Sequence, residues 1–342
     1  MSTIANARNA SRAPIVAPHR APRVVHVALA GCGTVGASLV ALVQREQAPC
    51  AARHGVRFEF TRILVRDPDK DRGIEMSPDL FTSSVDDFLA ADADVVIEVI
   101  GGLNPAGRIA RAALDAGRHL VTANKALIAR YGIELQQQAV ARDATLNFEA
   151  AVGGGVPVVR TLRSALGGHG VRSITGILNG TTNYLLTAIA DGATFSDALA
   201  DAQAKGFAEA DPTRDLQGLD ALDKIRILAW LAWDVDPSEQ RAIIEPLPAN
   251  PEGPVREAAE RRDVLKYLAG ATRGDDGVVR VWVRPSAVPR DHPFARVRNE
   301  ENAVRIDSDS LGVLYLQGRG AGGDATASAV LGDLLEAARA AA

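Results

Sequence analysis

From Val24 onward, short apolar runs rich in β-branched residues alternate with stretches in which apolar residues recur at helical spacing. No other feature restricts the fold as strongly. A strand, a helix and a second strand in succession return to one sheet in parallel, so the pattern predicts an α/β fold: a Rossmann-type, doubly wound parallel sheet with helices on both faces. Val24–Ala30, Phe58–Val65, Asp94–Ile100, Arg118–Thr122 and Thr145–Phe148 read as its strands. Thr34–Arg45, Asn104–Ala116 and Ile133–Arg142 read as its helices.

After Gly155 the pattern changes. Helices are expected at Val156–Leu166, Thr182–Ala190, Ser196–Lys205 and Leu216–Trp233, and strands at Ser173–Leu178, Val278–Val283 and on either side of Ser310. This mixture reads as a second, α+β domain. Glu245–Pro254 is rich in proline and reads as a surface loop. A last helix over Thr326–Ala340 is expected to return to the first domain. The organisation expected is therefore a nucleotide-binding domain over residues 24–150, completed by segment 318–342, and a substrate domain over 151–317. Residues 1–23 carry four arginines and no acid, and Pro14, Pro18 and Pro22 break any amphipathic targeting helix, so a disordered tail is expected there.

Composition removes several classes of partner. A length of 342 residues suits two domains, and a net charge of -4 gives no footing for nucleic acid or an anionic membrane. An aromatic content of 4% leaves few platforms for stacked bases. No apolar run approaches the roughly 18 residues that span a bilayer. Cys32 and Cys50 are too few for a disulfide framework or a four-cysteine zinc site and point to a reducing cytoplasm. His19, His26, His54, His119, His169 and His292 show no metal-binding spacing.

Gly31-Cys32-Gly33-Thr34-Val35-Gly36 fits G-x-G-x-x-G, directly after a strand and opening a helix. Gly31 permits the tight turn, Gly33 lets backbone approach a pyrophosphate, and Gly36 allows the helix to pack closely on the strand. Thr34 and Val35 begin the helix whose N–H groups and dipole favour an anion. Arg66 ends the second strand, where an acid for the ribose 2′-OH marks NAD-preferring sites and an arginine suits a 2′-phosphate. NADP(H) is the cofactor expected; Asp67 is adjacent, so NAD(H) stays open.

The densest chemistry lies in Glu209-Ala-Asp211-Pro-Thr-Arg-Asp215, followed by Gly218, Asp220 and Lys224. Asp220 and Lys224 are four apart on a helix and share a face. Their helix is otherwise apolar nearly all round and must be buried, so the pair either projects into a cleft or forms a surface ion pair of little consequence. The neighbouring carboxylates favour the cleft: acids suit a substrate ammonium, and an amine can exchange a proton with an alkoxide. Lys125, in Val-Thr-Ala-Asn-Lys, follows a strand of the first sheet, at the edge where such sheets bind ligands. Glu149-Ala-Ala-Val-Gly-Gly-Gly-Val-Pro is a second glycine turn; by its residues alone it joins two domains, holds an anion, or turns carbonyls toward a hard cation.

Taken together, the stretches GCGTVG, VTANKALIA, EAAVGGGVPVVRTL, GILNGTTNYLL, KGFAEADPTRDLQGLDALDKIRIL and GRGAGGDATASAV resemble homoserine dehydrogenase from Val24 to the last helix. The resemblance implies NADP(H)-dependent hydride transfer between L-aspartate 4-semialdehyde and L-homoserine, in the pathway to threonine and methionine. It implies Lys224 as proton donor with Asp220 as partner, and Lys125 between nicotinamide and substrate, with the proton carried by one of the two lysines. By the same similarity Glu209 and Asp215 hold the substrate's amino end, Gly180 and Thr181 line its pocket, and Gly320 lies near the cofactor. A sodium ion is implied on the backbone carbonyls of Glu149, Val152, Gly154 and Val156, and a homodimer through the sheet of the second domain. The chain departs from the family at Arg319 and Asp324-Ala325, in the loop over the cofactor, where proline is usual. It stops soon after the last helix, so no regulatory ACT domain is expected. Another Rossmann dehydrogenase and a silent NADP-binding sensor are the competing readings; the latter has no use for buried charge in the second domain.

Overall fold

A computed structural model describes residues 21–167 and 170–341. The expected tail lies outside the described residues up to residue 20. The first sheet has six parallel strands in the order β3-β2-β1-β4-β5-β6: β1 Arg23–Ala30, β2 Val56–Leu64, β3 Phe81–Thr82, β4 Val95–Glu98, β5 His119–Thr122 and β6 Leu146–Asn147. Helices α1 (Thr34–His54), α2 (Val85–Ala90), α3 (Ala106–Asp115) and α4 (Lys125–Ala141) connect them. Strand alternation sends Val25, Val27 and Leu29 to one face and Ala28 and Ala30 to the other, where α3 and α4 supply Ile109, Leu114, Leu127 and Leu135. The last described helix, α11 (Gly323–Ala340), lies beside α1 on the first of these faces.

The remainder carries the short α5 (Val158–Arg160), continued as a π-turn over Thr161–Ala165, then β7 (Val171–Ile177), α6 (Gly180–Ala190), α7 (Phe195–Ala204), α8 (Thr213–Leu216) and α9 (Leu219–Trp233). There follow β8 (Arg241–Ile244), α10 (Glu252–Glu260), β9 (Asp263–Arg273), β10 (Val279–Pro289), β11 (Glu301–Ser308), β12 (Gly312–Arg319) and α11 (Gly323–Ala340). The second sheet runs β12-β11-β7-β9-β10-β8, antiparallel except where β8 meets β10. Its inner face places Leu265, Tyr267, Ala269 and Ala271 against the helices. Its outer face aligns Trp282, Gly270, Thr175, Arg305 and Tyr315 in one row across five strands.

Several elements differ from the sequence expectation. The helix expected over Leu216–Trp233 is broken at Gly218, which adopts φ +78° and whose added Cβ would strike the Tyr267 hydroxyl. The helix expected over Val156–Leu166 is one short turn and a π-turn. Helix α4 opens at Lys125, not Ile133, and α1 continues through Pro49 to His54. Residues 252–254 of the expected loop belong to α10. The central strand β9 escaped notice because Lys266, Ala269, Gly270 and Ala271 have weak strand propensity; neighbours on both sides impose the extended form.

Helices α1 and α11 run parallel. Arg23 donates to the carbonyl of Ala341 beyond the C-terminal end of α11, while at the other end a Cβ on Gly323 would come within 2.7 Å of the Ser38 hydroxyl and 3.1 Å of the Thr34 methyl. Two helix N-termini therefore open side by side.

Candidate active site

The glycine turn is fixed by backbone crowding. Gly31 has φ +102° and its Cβ would lie 2.9 Å from the Val99 carbonyl, while a Cβ on Gly36 would overlap the Gly31 carbonyl. At Gly33 a Cβ would meet nothing within 4 Å, so that side of the turn is open. Gly33 and Gly322, the N-caps of α1 and α11, provide no side-chain capping bond, which leaves first-turn N–H groups at both ends for an anion. Arg66 lies two residues beyond β2 and is exposed. Arg72, which the sequence reading passed over, folds back and donates to the carbonyl of Cys32 at 3.2 Å.

Lys125 follows β5, two strands across from Gly31, a separation of roughly 10 Å at the usual strand spacing. A buried network sets its loop. Glu98, fully buried at the end of β4, accepts from Ile100 and Gly101 N–H at 2.8 and 3.1 Å and from the Thr122 hydroxyl at 2.7 Å. Thr122 in turn accepts the Asn124 N–H at 3.0 Å, and the Asn124 side chain caps α4 by accepting the Leu127 N–H. Lys125 is thus the first residue of α4, where the helix dipole disfavours a cation. Its compensation comes from the other half of the chain: Lys125 Nζ lies 2.8 Å from Asp220 Oδ1.

Asp220 is the hub. It sits in the first turn of α9, and its second oxygen accepts from Lys224 Nζ at 2.8 Å and from Asn179 Nδ2 at 2.9 Å. Lys224 Nζ also donates to the Leu178 carbonyl at 2.7 Å, and Asn179 Nδ2 also reaches Asp215 Oδ1 at 2.7 Å. The side chains of Asp220 and Lys224 are 6% and 12% exposed, so this pair belongs to the interior rather than to a solvated surface. Burial alone would raise the Asp220 carboxyl, but the Lys224 and Lys125 ammonium groups override it and hold the carboxyl well below the usual carboxylate range. Burial also works against the charge of Lys125, but Asp220 prevails and keeps that ammonium above the ordinary lysine range. Asp215 shifts upward, through burial and the nearby Asp220 charge. The break at Gly218 lets Asp215 and Asp220 face the same asparagine. Asn179, the N-cap of α6, was not singled out from the sequence; an asparagine before Gly-Thr-Thr signals a cap, and its donors are invisible at that level.

Gly180 opens α6 with its Cα against the backbone of Glu300, and Thr181 donates to the Phe207 carbonyl at 2.6 Å. Glu209 stands apart. It is exposed, and among the described residues its carboxylate makes no hydrogen bond or ion pair; Gln203 holds only its carbonyl, at 3.1 Å. Phe207, two residues before it, packs on Tyr184 at 5.2 Å, but the chain at Glu209 itself is exposed.

The second glycine turn meets the loop after β12. A Cβ on Gly154 (φ +59°) would overlap the Gly320 carbonyl, and Gly155 N–H donates to the Arg319 carbonyl at 3.0 Å. The Glu149 carboxylate is spent on the N–H groups of Val159 and Arg160, at 2.7 and 2.8 Å.

Two family models match the chain: homoserine dehydrogenase over residues 157–335, and the homoserine dehydrogenase NAD-binding domain over residues 31–149. The chain belongs to the homoserine dehydrogenase family. The homoserine dehydrogenase of Mycobacterium tuberculosis is 41% identical over 325 residues, 92% of this chain and 72% of that one. That of Synechocystis is 38% identical over 316 residues, 91% of this chain and 72% of its own. The crystal structure of a homoserine dehydrogenase from Thiobacillus denitrificans superposes with a TM-score of 0.86 at 37% identity, covering 93% of this chain and 74% of that one. A hyperthermophilic archaeal homoserine dehydrogenase in complex with NADPH gives 0.75 at 25% identity, covering 92% and 98%. The chain is accordingly a nicotinamide-dependent oxidoreductase acting on a CH–OH group, with the α/β architecture of its relatives. No described helix is long and apolar enough to cross a membrane.

Proposed function

We propose that this chain interconverts L-aspartate 4-semialdehyde and L-homoserine with NADP(H) as preferred cofactor and NAD(H) as a weaker one. The observation that carries the reading is the buried Lys125–Asp220–Lys224 cluster at the carboxyl end of the first sheet. The nicotinamide, when bound, gives or takes the hydride at the carbonyl carbon. The Gly31–Gly36 turn, with Thr34 and Val35 opening α1, suits the pyrophosphate, and Gly320 borders the same space. Arg66, exposed and without an ion-pair partner among the described residues, suits a 2′-phosphate. Lys224 donates a proton to the alkoxide that develops at the substrate oxygen, and withdraws it in the reverse direction; Asp220 holds that ammonium in place. Lys125 shares Asp220 and is the second amine within reach of the reacting oxygen. Asp215 meets the substrate ammonium, Gly180 and Thr181 wall its pocket, and Glu209 closes on it from the exposed segment.

The turn over 149–156 fits a sodium ion. The carbonyls of Val152 and Gly154 accept no hydrogen bond among the described residues; those of Glu149 and Val156 accept one each, from Val152 N–H at 3.3 Å and Val158 N–H at 2.8 Å, and keep a second lone pair for the ion, while the Glu149 carboxylate is committed to backbone N–H groups. Such an ion would stiffen the junction that abuts Gly320. In this reading residues 24–150 with 318–342 bind the cofactor, residues 151–317 bind substrate, and the outer row of the second sheet pairs two copies into a homodimer. The setting is the cytoplasm, whose reducing chemistry suits two free, buried cysteines.

Absorbance at 340 nm with L-homoserine and each nicotinamide cofactor tests the reaction; no turnover with either would refute it. Lys224→Ala should lose about 10²-fold or more in kcat, the contribution typical of a positioned general acid, while NADPH binding is retained. Near-normal turnover in that variant would remove Lys224 from the mechanism.

A further inference from the structure

Asn302 on β11 is fully buried and lies between the Leu178 carbonyl and Gly320. On one side its Nδ2 approaches the Leu178 carbonyl at 3.4 Å, the same oxygen that accepts Lys224 Nζ at 2.7 Å. On the other side its carboxamide packs flat on the Cα of Gly320, where any Cβ would overlap it. Gly154 also approaches the Gly320 backbone, so position 320 has no room for a side chain. The Oδ1 of Asn302 has no hydrogen-bond partner although it is buried. The N–H of the half-buried Gly320, whose Cα lies against this carboxamide, meets no protein acceptor among the described residues. An unpaired buried acceptor next to an unpaired donor describes a bond made in another position of the 319–323 turn, since a buried acceptor left permanently unpaired is a standing cost.

We propose that Asn302 is a positioning residue that couples the 319–323 turn to Lys224: as the turn settles, one of its N–H groups donates to Oδ1, and Nδ2 then holds the Leu178 carbonyl that fixes the lysine ammonium. The inference rests on the reading of Lys224 as the proton-transfer residue. It assigns a task to a residue that touches neither cofactor nor substrate, and it explains why position 320 admits only glycine.

The test compares kcat and KM for L-homoserine oxidation with NADP⁺ in Asn302→Ala, Gly320→Ala and the double variant, with Lys224→Ala as reference. Asn302→Ala should lower kcat by about 10- to 100-fold, the scale of a catalytic group displaced by about an ångström, with KM for both substrates changed little. Gly320→Ala should be impaired by displacing the turn. The double variant should recover activity relative to Gly320→Ala, because the new methyl occupies the space the carboxamide leaves. Wild-type kcat in folded Asn302→Ala overturns the coupling, as does a Gly320→Ala defect that the second change does not relieve. Should Lys224→Ala itself keep full turnover, the underlying site reading fails instead, and the two failures are distinguishable in the same series.

Discussion

Asp220 shows how one carboxylate can organise a site built from distant pieces. Its two oxygens face two ammonium groups and one amide, while Asp215 is tied to the same amide. Removing it strands Lys224, 12% exposed, without its ion-pair partner. Breaking a buried pair in this way costs about 3–5 kcal/mol, whereas the half-exposed Arg214–Asp223 pair at 2.8 Å should contribute less than about 1 kcal/mol. Asp220→Ala should therefore lower the free energy of urea unfolding by several times the loss in Arg214→Ala, and abolish turnover as well; equal losses would contradict the burial argument. Because the folded-state carboxyl titrates below its ordinary range, the unfolded chain takes up the proton first as pH falls. The stability due to Asp220 is present above the ordinary carboxylate range and disappears as pH drops through and below it.

At the level of elements, the lysine and its carboxylate stay in register because α4 and α9 pack directly. Their N-terminal ends meet through Lys125 and Asp220, and two turns further along α4 the Trp230 ring of α9 sits in the notch of Gly132. The ring stacks on Phe148 at 5.8 Å, and the Arg163 guanidinium lies over the same phenyl at 4.3 Å. A methyl on Gly132 would lie 2.9 Å from the indole and 3.2 Å from Ile128. Overpacking of this kind costs about 1–3 kcal/mol, partly offset by the roughly 1 kcal/mol that alanine gains over glycine in a helix. Gly132→Ala should thus be about 1 kcal/mol less stable in urea unfolding and show a lower kcat, because the helices are forced apart where they present Lys125 to Asp220. A stabilised, fully active variant would show that the spacing has slack. The helix of Asp220 and Lys224 was legible in the sequence from its period and its i,i+4 pair. The break at Gly218 was not, because a glycine within a helical pattern reads the same whether the helix ends or merely tolerates it, and only the Tyr267 hydroxyl decides.

For the molecule as a whole, the second sheet is covered completely on one face and only in part on the other. Its inner face is sealed by helices; on its outer face Phe294 and Val297 bury Ile177, Leu268 and Ala303, while the edge strand β12 leaves Tyr315 at 40% and Val313 at 46% exposure. An exposed apolar edge of this kind, with Arg305 paired to Tyr315 beside it, suits a two-fold copy of itself. Tyr315→Arg would place like charges across such an axis, and light scattering should then report the mass of one chain where the parent reports two. An unchanged mass would move the interface elsewhere.

The sequence by itself determined the parallel sheet, the cofactor turn and the acid–lysine helix, because each is written in residues close along the chain: alternation, glycine spacing, a four-residue interval. Only the tertiary structure decided that Lys125 shares its carboxylate with Lys224, that Asn179 and Asn302 are donors within the same network, that Glu209 stays outside it, and that Asp263–Arg273 is a central strand. Those facts arise from contacts between segments far apart in the chain, where a side chain's role depends on what burial and neighbouring backbone bring against it, and no local pattern records that.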